Sequence, residues 1–120
     1  MSTLPLLQAA QLRPVAPDVC VAAQLNPAAM AEAAAAGFRS VVNNRPDHEH
    51  GPGQPTSAEI EAAARAAGLE YHHLPVDGGW QSPEEIAAFA ELLARLPRPL
   101  LAFCRSGARS TRLFVAAQRG

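Results

Sequence analysis

"LLAFCRSGARSTRLF", Leu100 to Phe114, sets an apolar run against a glycine-containing turn and then an amphipathic segment. A short apolar run bounded by a turn reads as a buried strand, "LLAFC", with a helix predicted to start near Ser110. Such a junction places the backbone N–H groups of residues 105–109 where a helix begins. If the loop curls, several point inward, and the helix dipole adds partial positive charge. Gly107 permits the positive φ that such a curl demands. Arg109 can close the cradle with a bidentate grip on an oxyanion, over a binding loop of Arg105, Ser106, Gly107 and Ala108. The same field favours thiolate at Cys104, because a helix N-terminus with an arginine brings a cysteine pKa well below ~8.5. Ser110 is placed to cap the helix and to hydrogen-bond the thiolate. Arg105 either contacts substrate or is a solvated rim arginine.

Outward from this unit, strands alternate with helices. "VCVAAQL" (19–25) reads as a strand, followed by Asn26 as N-cap, a first-turn Pro27 and a helix stopped by Gly37. "RSVVNN" (39–44) is a second strand, leading into the loop "RPDHEHGPGQP" (45–55). Ser57 starts the next helix, which closes on Gly68, and "LEYHHLPV" (69–76) is a third strand. Ser82-Pro83-Glu84-Glu85 opens a helix with a cap, a proline at the first position and two acids in the first turn. This alternation predicts one α/β domain over residues 18–120, with a mainly parallel four-stranded sheet, behind an N-terminal tail of residues 1–17. Sites in such sheets form beyond the carboxyl ends of the strands, which lines up Arg45, Asp47, Asp77 and Cys104 on one rim.

The chain has 120 residues, 48% of them hydrophobic, enough for a single core. Its net charge of −1 gives no footing for nonspecific binding to nucleic acid or an anionic membrane. All ten basic residues are arginine. The apolar patch "LPLLQAAQL" lacks a basic flank and is interrupted by Pro5 and Gln8, and no run approaches the ~18 apolar residues of a membrane span. Two cysteines make no disulfide framework, so a cytoplasmic protein with reduced thiols is expected.

Each remaining candidate has two readings. Asp77 either protonates a leaving oxygen as a general acid or forms a turn with the two glycines after it. Arg45 and Asp47 are expected to pair and hold the long loop, with substrate contact as the alternative. His48, Glu49 and His50 lack further ligands at a recognisable spacing, and His72 and His73 point to opposite faces of a strand. No metal or cofactor is expected. Cys20 is expected in the core rather than as a resolving thiol for Cys104. Trp80 is expected to pack its loop onto the domain rather than line the pocket mouth.

"FCRSGARS" resembles the phosphate-binding loop of cysteine-dependent protein tyrosine phosphatases, but four residues instead of five separate Cys104 from Arg109. That spacing is similar to the loop of single-domain rhodaneses, which carry sulfur as a cysteine persulfide. "VAAQLNP", "GFRSVVNNRPDHEHGPGQPTSAEIEAAARAAGLEYHHLPV" and "LLAFCRSGARSTR", in this order, look like the β-lactamase-hydrolase-like phosphatase family, with "NRPD" and "GQPT" as its specific elements. The resemblance covers roughly residues 19–118. It implies a three-layer fold of the protein-tyrosine-phosphatase type and, through the family's fusions, a functional link to persulfide dioxygenases. Three functions follow as expectations. The first is a phosphohydrolase for a small anionic substrate or a phosphoprotein, with Cys104 as nucleophile. The second is a sulfurtransferase using a Cys104 persulfide, and the third a non-catalytic oxyanion-binding module.

Overall fold

A computed structural model describes residues 4–119. The start of the expected tail, residues 1–3, and Gly120 at the end of the expected domain lie outside the described residues. Five strands form one sheet: β1 (Arg13–Ala16), β2 (Val19–Ala22), β3 (Ser40–Asn43), β4 (Glu70–His73) and β5 (Leu100–Phe103). Their spatial order is β1-β2-β5-β3-β4. β2, β5, β3 and β4 run parallel, whereas β1 pairs antiparallel with β2 and carries an irregularity between Pro14 and Ala16. The helices are α1 (Pro5–Ala9), α2 (Ala29–Ala35), α3 (Ser57–Ala66), α4 (Pro83–Arg95) and α5 (Ala108–Arg119).

The strand first read from the sequence, β5, lies at the centre. All four of its residues are buried, because helices cover both faces of the sheet. Alternation sends Leu101 and Phe103 to a core shared with Leu7, Met30, Ile60 and Tyr71, on the side of α1, α2 and α3. Leu100 and Ala102 join Phe89, Leu93, Leu113 and Phe114 on the side of α4 and α5. The result is three layers, helix–sheet–helix, with two apolar cores.

The predicted sheet of four strands is therefore one strand short, and the expected tail is structured over its described residues. Leu7 is wholly buried, and the Glu32 carboxylate accepts from the amides of Leu6 and Leu7, anchoring α1 on α2. Cys20, expected in the core, is only half-buried on β2. It pairs in register with Leu101, three residues before Cys104, hence about 10 Å away along the strand direction and beyond disulfide reach. Among the described residues, no helix is long and apolar enough to cross a membrane.

Candidate active site

The parallel strands all end at one rim, and the connections leaving that rim build the site. The amide of Cys104 donates to the Ala22 carbonyl (3.3 Å), and that of Gln24 to the Arg105 carbonyl (3.2 Å). The amide of Asn44 donates to the Phe103 carbonyl (2.8 Å). These bonds pin the start of the cysteine loop between the ends of β2 and β3. The Cys104 side chain faces inward, the residue being 1% exposed, and the Gly107 amide donates to its sulfur at 3.0 Å. Burial pushes the thiol pKa up. The amides of Ser110, Ser106 and Gly107, together with the Ser110 hydroxyl, pull it down by more, so the net shift is downward. Ser110 has one hydroxyl proton, however, and donates it to Asn44 Oδ1 at 2.8 Å. In the resting site the hydroxyl faces Asn44, and it reaches the thiolate only by turning from that partner.

The helix begins two residues earlier than predicted, at Ala108. Ser110 consequently lies inside its first turn rather than at the cap. The Ser106 hydroxyl accepts from the Ala108 amide at 3.3 Å and takes the position nearest to a cap. Gly107 adopts φ +92°, as the curl requires. Arg105 is exposed and Ser106 with it, whereas Arg109 is buried at 7% exposure.

Arg109 is held from one side. Its Nη1 donates to the Val76 carbonyl at 3.0 Å, and Nη2 donates to Glu49 Oε1 at 3.2 Å. Its Nε is buried without a hydrogen-bond partner. Gly78 lies against the guanidinium so closely that a methyl group there would stand 3.0 Å from Nη2.

The second arginine of the rim, Arg45, is also buried, but it does not pair with Asp47 as expected. Its Nε donates to Glu49 Oε1 at 2.8 Å and Nη1 to Gln24 Oε1 at 3.0 Å. Asp47 instead accepts from the Ser57 amide at 2.7 Å, fixing the far end of the long loop to α3. His73 faces the Arg45 carbonyl through Nε2 at 2.8 Å. Glu49, read from the sequence only within a histidine cluster, thus bridges both arginines. Burial raises its pKa, but the hydrogen bonds and charges of Arg45 and Arg109 hold it below the usual carboxylate value. The signal was only the short i,i+4 separation of Arg45 and Glu49, which the non-helical loop, with His48 at φ +62°, folds back into contact.

Asp77 lies at the rim on the same connection as Gly78. Its carboxylate is exposed and accepts from the Gly79 amide at 2.6 Å, so the turn reading holds for the resting geometry. Trp80 is 68% exposed, not buried as the expected anchor would be. Its expected part is taken by Gly78, which packs on Arg109 and accepts from Arg112 Nη2 at 2.7 Å.

Over residues 11–120 the chain matches the phosphatase-like domain of beta-lactamase hydrolase-like proteins. It belongs to that family. A beta-lactamase hydrolase-like protein of Agrobacterium fabrum is 39% identical over 84 residues, which are 70% of this chain and 19% of the relative. This phosphatase-like domain thus spans about a fifth of the length of the curated relatives it matches. Among solved structures, a candidate phosphatase of Neisseria meningitidis is 29% identical, with a TM-score of 0.78 over 84% of this chain and 71% of that one. The active form of Tk-PTP superposes with a TM-score of 0.60 at 20% identity, covering 89% of this chain and 80% of its own. The phosphatase-like domain has the α/β fold of protein tyrosine phosphatases, with a five-stranded, mostly parallel sheet flanked by helices.

Proposed function

We propose that this phosphatase-like domain hydrolyses a phosphomonoester through Cys104. The observation that carries the reading is the buried, unpartnered Nε of Arg109 in a guanidinium otherwise held by Val76 and Glu49. A buried N–H donor without an acceptor is costly, and an oxyanion in the loop would supply one. The Cys104 thiolate attacks phosphorus, forming an S–P bond as the ester P–O bond breaks. Asp77, turning from the Gly79 amide, gives its proton to the leaving oxygen. Water then attacks phosphorus, the S–P bond breaks to return the thiolate, and the water proton goes to Asp77. Loop amides and Arg109 stabilise the charge on the equatorial oxygens throughout.

The four-residue spacing from Cys104 to Arg109 favours a second reading, transfer of sulfane sulfur through a Cys104 persulfide. One preparation assayed with an aryl phosphate, and with thiosulfate plus cyanide, separates the two. Cys104→Ser should abolish the phosphatase reaction while the circular dichroism spectrum stays unchanged. Asp77→Asn should cost roughly 10²-fold or more with poor leaving groups and far less with an activated aryl phosphate. Turnover of thiosulfate alone would replace phosphate with sulfur. Anion binding without either turnover would leave an oxyanion-binding module.

A further inference from the structure

One arginine leans on the cysteine loop from outside it. Arg13, on β1, covers the open side of Gly107: a methyl group on that glycine would lie 2.9 Å from Arg13 Nη2 and 3.1 Å from Nη1. Gly107 is also the residue whose amide donates to the Cys104 sulfur. Among the described residues no carboxylate pairs with Arg13, whose guanidinium makes a long hydrogen bond to the Gln11 carbonyl, 3.5 Å. Arg105, two residues before Gly107 and exposed, likewise has no carboxylate partner among the described residues.

The acids around the site are engaged elsewhere. Glu49 serves Arg45 and Arg109, Asp47 the Ser57 amide, and Asp77 the Gly79 amide. Asp47 and Asp77 keep their charge, but neither pairs with Arg13, which leans on the loop without a carboxylate partner among the described residues. Arg109 and the loop amides suffice for one phosphoryl group, so Arg13 is left for another anion.

We propose that Arg13 forms a second anion subsite beside the Cys104 loop. The substrate then bears a further phosphate or carboxylate near the phosphate that is cleaved. This rests on the reading of the loop as a phosphate cradle.

The test uses the full chain and reads protection of Cys104 from iodoacetamide, which needs no turnover. Orthophosphate, methylenebisphosphonate and 3-phosphonopropionate are the protecting anions. Methylenebisphosphonate should half-protect at a concentration about tenfold below orthophosphate, the gain from one charge-assisted contact. 3-Phosphonopropionate reports whether a carboxylate serves as well as a second phosphate. Arg13→Ala and Arg13→Gln should each bring the ratio of the two half-protecting concentrations close to one. The β1–β2 backbone pairing does not involve this side chain, and circular dichroism checks the fold of both variants.

Equal half-protection by one- and two-headed anions in the parent, or an unchanged ratio in a folded Arg13→Gln, overturns the subsite and leaves the cradle standing. A phosphopeptide with acidic neighbours that protects better than methylenebisphosphonate, and loses that advantage in Arg13→Gln, supports the subsite with the second anion carried by a phosphoprotein. No protection by orthophosphate at any concentration overturns the cradle, and the subsite with it.

Discussion

At Cys104, burial and hydrogen bonding oppose each other, and hydrogen bonding prevails. Cys20 has only the burial, which raises its pKa. Between pH 8.5 and pH 6, roughly the range below an ordinary thiol pKa, alkylation of Cys104 should fall much less than that of Cys20. Peptide mass spectrometry measures both thiols in one sample, and parallel pH profiles would refute the difference. Glu49 offers a second test of one side chain. Its folded pKa is depressed, so its contribution to stability is fully present above the usual carboxylate value and is lost as pH falls through the lower, folded one. Glu49→Gln removes the charge facing two buried guanidinium groups. Since the carboxylate is 29% exposed, the cost at pH 7 should be modest, about 1–2 kcal/mol by urea unfolding. The gap to the parent should close in acid, and a gap independent of pH would deny the ion pairs any part in it.

The connection from β4 to α4 reaches the site through its backbone, at Gly78. A methyl group there meets a guanidinium already held by Val76 and Glu49, which cannot yield without surrendering those bonds. Gly78→Ala should therefore weaken anion protection of Cys104 by about tenfold, the loss of one charge-assisted contact, and lower thermal stability as those bonds give way. Full retention of protection would mean that the connection is free to move away. How far each element could be read in advance depended on where its stabilising interactions lie. α4 announces itself because Ser82, Pro83 and Glu85 form a capping box with proline at the first turn, all local in sequence. α3 starts at Ser57, as expected, behind a capping box of Thr56 with Glu59. The β5–loop–α5 unit was legible because its burial on both faces writes an unbroken apolar run. β1 was not, since "RPVA" contains a proline and owes its extension to pairing with β2. α1, with five residues, is too short to hold by itself and depends on Glu32 and the core. Arg13 was missed as a site residue for the same reason: only the sheet brings it to Gly107.

Taken whole, the domain is closed on one side by its N-terminal residues, and its stability should depend on them. Leu7 is fully buried against the α2 side of the sheet, so Leu7→Ala should cost about 2–4 kcal/mol in urea unfolding. A cost below half a kilocalorie would show α1 detached in solution. The antiparallel strand ending the sheet has a bearing on how copies of the molecule behave toward one another. β1 offers its outer backbone to solvent, and an exposed strand edge is a template on which another chain can add. Pro14 has no N–H to offer there, and the irregularity before Ala16 bends the strand out of register with any flat newcomer. The residues that hid this strand from a sequence reading are thus the ones that guard it. Pro14→Thr should leave the monomer folded yet make it aggregate faster on mild heating, as light scattering would record; an unchanged rate would place the protection elsewhere.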